Sequence, residues 1–288
     1  MRITDVQTTP LLVKNKEPYH WAHGVMYGAE VILVEVRTSD GVTGFGESIA
    51  SPNAAGIEAF IKTAAGHLAG KSIFESRRLM RQCYHALFQA HGTCSAPRFG
   101  AQILAGLEMA ILDAAGKTAG CAVHELLGGK VRETIDYFGF IQGDTAEDLA
   151  AAAVRMVSDG HRVIYGKIGR GEQLDLEIIR RVREVVGKSV RLRFDPNEAW
   201  DPLTAARMIR KIAAYDIEMI EQPCGHESLH ALRQIRENSP IAIAADQSVF
   251  NAADVYNAVT LGAADLIVLG LHETGGIVPF IEAAGVAA

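Results

Sequence analysis

From about residue 134 the chain repeats one phrase six times: a short apolar run, then an amphipathic helical pattern. The runs are TIDYFGFI, VIYGKI, VRLRFD, IEMIEQP, IAIAAD and ADLIVLGL. Strands separated by helices pair in parallel through crossover connections. Six such units in a row point to a TIM-type (β/α) barrel rather than a small doubly wound sheet. A closed barrel of that type has eight strands, yet the chain ends at GVAA, where a seventh would begin. The expectation is a barrel lacking its last strands, either because the chain is shortened or because something else covers the open edge and core face.

The region before it follows a different order, strands first and helices after. RITDVQTTPLLV and AEVILVEVRT read as strands, and SDGVTGFGES reads as a turn into a third, with Asp40-Gly41 as the hairpin signal. A helix is expected to open at Ser51-Pro52, with proline at its first position. FGAQILAGLEMAILDAAGKTAG repeats its apolar residues at three and four, as a packed helix does, and HELLGG ends in a double-glycine stop. The expected division is an α+β domain over residues 1–130 and a partial (β/α) barrel of about six βα units over 131–288.

Composition excludes several classes. A formal charge of −6 leaves no basic footprint for nucleic acid or an anionic membrane. The apolar runs read as strand-length, so no membrane-spanning helix is expected. MRITDVQTTP lacks the apolar core of a signal peptide. Cys83, Cys94, Cys121 and Cys224 show no CxxC or framework spacing and read as free thiols of a cytoplasmic protein. GHLAGKS at 66–72 resembles a P-loop, but it has three residues between its glycines and follows a helical pattern, so it is rejected.

The chemistry lies at the strand ends. Asp195 closes VRLRFD, Glu221 closes IEMIE and Asp246 closes IAIAAD, at spacings of 26 and 25 residues. Lys167, in VIYGKI, precedes Asp195 by 28. Each interval is about one βα unit, so all four reach the C-terminal mouth, where barrels of this type keep their active sites. Singly, each acid reads as a solvated rim residue or a helix cap. Three in register would repel one another strongly, and a divalent cation removes that repulsion. Oxygen ligands of this kind suit magnesium or manganese better than zinc.

The set KIG, FDPN, IEQP and ADQS at these intervals resembles the enolase superfamily, in particular the mandelate racemase/muconate lactonizing enzymes. GFGES, and the helix ending LEMAILDAAGK before HELLGG, resemble that family's α+β capping domain. The resemblance implies that Asp195, Glu221 and Asp246 ligate Mg²⁺. An aspartate as the third ligand is similar to the muconate lactonizing branch. It further implies that a small-molecule carboxylate substrate loses its α-proton to a lysine through an enediolate. Lys167 matches the usual base, and Mg²⁺ with other cations nearby would push its pKa down. It also makes a homo-oligomer an expectation.

Departures from the family are informative. Its Lys-x-Lys pair is here Tyr165 and Lys167, both on the barrel interior by strand period. Tyr165 brings a hydrogen-bond donor without a positive charge, or simply packs as a barrel aromatic. Five residues before the glycine pair of LGLHETGG, where the muconate lactonizing branch has lysine, stands Gly270. His272, two residues on, is read as pointing to the same side and able to act as acid/base or substrate ligand. Gln247 replaces an acid beside Asp246, and Asn197 offers a hydrogen bond near Asp195. Substrate choice is assigned to residues 15–28, with His20, Trp21 and His23 as contacts, and to about residues 48–55. One clear base favours a lyase or isomerase reaction, β-elimination or cycloisomerisation. Racemisation or epimerisation needs a second acid/base on the opposite face. Gly270 and the missing strands also allow a metal-binding, non-catalytic barrel or inactive fragment.

Overall fold

The computed structural model describes residues 1–91 and 97–288. Strands β1 (Ile3–Trp21), β2 (Gly24–Thr38) and β3 (Thr43–Ile49) form an antiparallel meander. Asp40-Gly41 makes the second turn, with Gly41 at φ 81°. The first hairpin differs from the expected loop: residues 15–28 continue as paired strand to Trp21↔Gly24, interrupted only by a bulge between Lys14 and Tyr19. Ile32, Val34 and Val36 alternate inward and pack under helices α1 (Ala54–Ala65), α2 (Ser76–Leu87) and α3 (Pro97–Ala119). Helix α1 is capped by Asn53, whose side chain accepts from Gly56 N, and Pro52 lies outside it. The amide oxygen of Asn53 satisfies one of the orphan donors of the first turn.

The glycines of GFGES have a packing reason. A Cβ on Gly44 would sit 2.1 Å from the Ala110 carbonyl oxygen, and one on Gly46 would sit 2.0 Å from that of Gly106. Strand β3 therefore lies against the backbone of α3, which its small residues permit. Helix α3 is long and apolar enough by composition to cross a bilayer, contrary to the reading of strand-length runs only, but most of it is buried here as the core helix. A short turn, α4 (Val123–Leu126), closes this region.

The second sheet runs β4 (Gly139–Ile141), β5 (Val163–Lys167), β6 (Arg191–Asp195), β7 (Met219–Glu221), β8 (Ala242–Ala245) and β9 (Leu266–Ile267), all parallel and in sequence order. Helices α5 (Ala146–Ser158), α6 (Glu172–Val186), α7 (Pro202–Ile212), α8 (Leu229–Glu237) and α9 (Ala252–Leu261) cover its outer face. Thr145, Asp201, Ser228 and Asn251 cap four of them. Outward residues such as Ile164, Phe194, Ile220 and Ile243 join Ile179, Met208 and Leu232 in one core. This is an incomplete TIM-type barrel with β4 and β9 as its edges. Inward-facing Phe138 and Leu266 are consequently exposed.

The last unit departs from expectation. Only two residues of ADLIVLGL pair as strand, and α10 (Leu271–Thr274) and α11 (Ile277–Ala287) follow. Cys83, Cys121 and Cys224 are free thiols, and Cys94 lies outside the described residues. The two sheets are joined through α3. Glu108, buried on that helix, accepts hydrogen bonds from Ile277 N and Val278 N at 2.9 and 3.1 Å. A carboxylate from one core thus satisfies two orphan amides at the start of α11. Glu108→Ala should cost about 1–3 kcal/mol in urea unfolding, and Glu108→Gln, which keeps one acceptor, should cost less. Wild-type stability in both variants would contradict this coupling.

Candidate active site

The parallel ladder sets the depth of each side chain. Lys167 pairs with Asp195, and Tyr165 with Arg193, so these inward residues of β5 lie beside those of β6. Glu221 ends β7, and Asp246 follows β8 directly. The structure thus brings Lys167, Tyr165, Asp195, Glu221 and Asp246 together at one mouth, with all three acids buried. Asp195 is the most heavily engaged. Its Oδ1 accepts from Asn197 N at 2.6 Å. Its Oδ2 accepts from Asn197 Nδ2 at 2.7 Å, Tyr165 OH at 2.9 Å and Lys167 Nζ at 2.5 Å. Lys167 Nζ also donates to the Tyr165 oxygen at 3.2 Å. Tyr165 is a packed barrel aromatic as well, stacked on Phe138 with ring centroids 4.7 Å apart.

The loops that carry the acids are held in the left-handed region at Asn197 (φ 44°), Glu198 (φ 66°) and Gln222 (φ 30°). Gln222 is fully buried and stitches two of these loops together. Its Oε1 accepts from Asp246 N and Ser248 N, and its Nε2 donates to Cys224 O and Ser248 Oγ. Four bonds to one side chain fix the backbone at Asp246 against β7, which makes the strained φ of Gln222 tolerable.

Electrostatics follow from crowding. Burial, then Asp195 and Asp246, push the Glu221 carboxyl well above the usual range. Burial, then Glu273 and Asp195, push Asp246 up to about 7. Burial works against the Lys167 ammonium, yet the adjoining Asp195 carboxylate, with Tyr19 and Glu221, holds its pKa above the ordinary lysine value. The acids around Lys167 thus favour its ammonium form, and the expected lowering belongs to the site with a cation in place.

Among the described residues, no three His, Cys, Asp or Glu side chains are gathered tightly enough to hold an ion as they stand. The donor set nonetheless fits a hard divalent cation. It is all oxygen, anionic and buried, and the buried Asn197 Oδ1 beside it has no partner. Ligation by Asp195 Oδ2 requires Lys167 to release it.

The hairpin of β1 and β2 reaches over the mouth. Tyr19 and Trp21 share one side of β1, and His23 follows in the turn, with the ring centroids of Trp21 and His23 4.7 Å apart. His23 Nε2 donates to the Asn197 carbonyl at 2.9 Å, tying the hairpin to the Asp195 loop. His20 points away, its backbone N donating to Gln142 Oε1 and its ring 3.4 Å from Asp144. Sequence reasoning missed Tyr19, which lies near enough to Lys167 to feel its charge. The alternation with Trp21 and His23 was the signal. His272 stands on α10, not on a strand, so period two does not apply to it; its Nε2 donates to the Glu47 carbonyl at 3.0 Å. Below the acids lies a cavity of about 380 Å³, lined in part by Tyr19, Phe140, Tyr165, Lys167, Met219 and Glu221. Its volume suits a small ligand.

Comparisons with known proteins agree with this geometry. Residues 3–128 match the family described as mandelate racemase / muconate lactonizing enzyme, N-terminal domain, and residues 148–288 match enolase C-terminal domain-like. A hydrophobic dipeptide epimerase of Enterococcus faecalis is 30% identical over 96% of this chain and 77% of its own length. Muconate cycloisomerase 1 of Pseudomonas putida is 30% identical over 94% of this chain and 74% of its own. The structure of a Cytophaga hutchinsonii dipeptide epimerase complexed with Mg and D-Ala-L-Val superposes with a TM-score of 0.90 at 28% identity, covering 100% of this chain and 77% of that one. These relatives are enzymes, named as epimerases and cycloisomerases. With both regions matched and relatives aligned along nearly its whole length, the chain belongs to the mandelate racemase/muconate lactonizing enzyme family of the enolase superfamily.

Proposed function

We propose that this protein is an Mg²⁺-dependent enzyme that abstracts the α-proton of a small carboxylate, with Lys167 as the base. The observation that carries the reading is the contact of Lys167 and Tyr165 with Asp195 inside a ring of three buried carboxylates. We further divide the chain into a capping domain over 1–130 and a catalytic barrel over 131–288.

Asp195, Glu221 and Asp246 would hold the ion. When bound, Mg²⁺ would polarise the substrate carboxylate and offset the charge that builds on it as the α-proton leaves. Asp195 favours the ammonium form of Lys167. Lys167 therefore serves as a base only when the charge of Asp195 is engaged elsewhere, as ligation would achieve. Tyr165 OH then becomes a donor for the substrate or for Lys167. Tyr19, Trp21 and His23 close the mouth against water. The cavity lined by Phe140 and Met219 takes an apolar substituent. Dipeptides and unsaturated diacids, which the relatives' names specify, are the substrate classes to try first. Elimination and cycloisomerisation need one base; epimerisation needs a second group facing Lys167.

In D₂O with Mg²⁺, the protein should exchange the α-hydrogen of at least one acid among dipeptides and diacids. Lys167→Ala should slow that exchange by about 10²-fold or more. Undiminished exchange in the variant would refute the base assignment.

A second expectation concerns stability. A carboxyl whose folded pKa exceeds its unfolded value loses stability as pH rises from the unfolded to the folded pKa. For Asp246 that window runs from about 4 to about 7. With chelator present, Asp246→Asn should therefore raise stability at pH 8 by about 1–3 kcal/mol and flatten the decline of Tm between about pH 4 and 7. Lower stability in the variant at pH 8 would contradict the crowding described above.

A further inference from the structure

Gly270 poses a question that its backbone does not answer. It is the N-cap of α10 with φ −103° and ψ 138°, ordinary extended values open to any residue. Nothing about its conformation demands glycine. Its side-chain space, however, is taken. A Cβ built on Gly270 would lie 3.1 Å from Glu273 Oε2, 3.3 Å from Cγ and 3.4 Å from Cδ of the same residue. The Glu273 carboxylate folds back over Gly270 and fills the place where a side chain from residue 270 would emerge. One turn of helix makes this possible, because residues three apart share a face.

The carboxylate is held in place. Its side chain is three-quarters buried, and Oε1 forms an ion pair with Arg98 Nη2, from α3. Arg98 Nη1 donates to the Gln247 carbonyl, next to Asp246, and its guanidinium lies over the Phe250 ring. Glu273 is also the neighbouring charge that acts most strongly on Asp246. In the strand order, Lys167 on β5 and Glu273 beyond β9 stand at opposite ends of the three carboxylate-bearing strands. A substrate carboxylate held at those acids would have Lys167 on one side of its α-carbon and Glu273 on the other.

We propose that Glu273, reaching over Gly270, is the second acid/base of the site, so that the reaction is a two-base proton transfer that inverts the α-carbon. This deepens the function proposed above and rests on it. In one direction the Cα–H bond breaks and its proton passes to a Glu273 oxygen. The electron pair moves into the substrate carboxylate group, and the Lys167 ammonium delivers a proton to the opposite face of Cα. In the other direction the Lys167 amine removes the proton and protonated Glu273 returns one. Both groups exchange with solvent between turnovers, so no co-reactant is consumed. The substrate class is a carboxylate with a stereogenic α-carbon bearing one hydrogen, such as the C-terminal residue of a dipeptide.

The test uses a panel of diastereomeric dipeptides, each pair differing only at the C-terminal α-carbon, in D₂O with Mg²⁺. Wild type should exchange both members of at least one pair and interconvert them. Glu273→Gln should lose exchange from one diastereomer by about 10²-fold or more while keeping the other within about threefold, and Lys167→Ala should show the opposite selectivity. Gly270→Ala, which crowds the carboxylate without removing it, should give a smaller loss on the same side as Glu273→Gln. A purely structural role for the Arg98–Glu273 pair would lower both diastereomers together, and that result overturns the inference. Wild-type exchange that survives Glu273→Gln on both sides overturns it alone. No exchange by wild type on any pair overturns the proposed function and this inference together.

Discussion

Mutual repulsion among three buried carboxylates is the constraint around which this structure is organised. Asp195, Glu221 and Asp246 are taken from water and set at the ends of adjacent strands, where each raises the cost of ionising the next. The protein offsets part of that cost locally. Lys167, Tyr165 and both nitrogens of Asn197 converge on Asp195, while Gln222 supports the backbone at Asp246. Under the proposed function, the same crowding that costs stability would favour a cation, and ligation of Asp195 would free Lys167 to act as a base.

Helix α3 makes this arrangement one body. Its small residues let β3 approach its backbone at Gly44 and Gly46. Its Glu108 caps α11 and its Arg98 reaches Glu273 and Gln247. From the other side, His23 binds the Asn197 carbonyl. The capping region thus touches the barrel at the Asp195 loop, the Asp246 loop and α10. The aromatics of the hairpin and the acids on the strands are held in one frame by a few charge-assisted and backbone hydrogen bonds.

Much of this was legible in the sequence because it depends on period and spacing. Strand-and-helix alternation gave six parallel units, and intervals of one βα unit set Lys167, Asp195, Glu221 and Asp246 at a common depth. What escaped depends on where regular structure stops. The apolar pattern of ADLIVLGL extends well past the two residues that pair, so His272 was placed by strand alternation when it lies on a helical turn. The same error hid Glu273, whose reach over Gly270 exists only in a helix. Residues 15–28 looked like a loop because Asn15, Pro18 and Gly24 interrupt the apolar pattern. Cross-strand pairing overrides those local signals and turns Tyr19, not His20, toward Lys167. Lys167 illustrates a different limit. Its position followed from spacing, but its charge state depends on distances to Asp195 that no sequence displays.

The central claim is that the three strand-end acids form one cation site and that Lys167 leaves Asp195 when it fills. Crystals soaked in Mn²⁺ and measured at the manganese edge test this directly. The account predicts a single strong anomalous peak about 2.0–2.2 Å from oxygens of Asp195, Glu221 and Asp246, with Lys167 Nζ displaced from Asp195 Oδ2. A peak elsewhere, or no peak at the mouth with the Lys167–Asp195 contact intact, would contradict it.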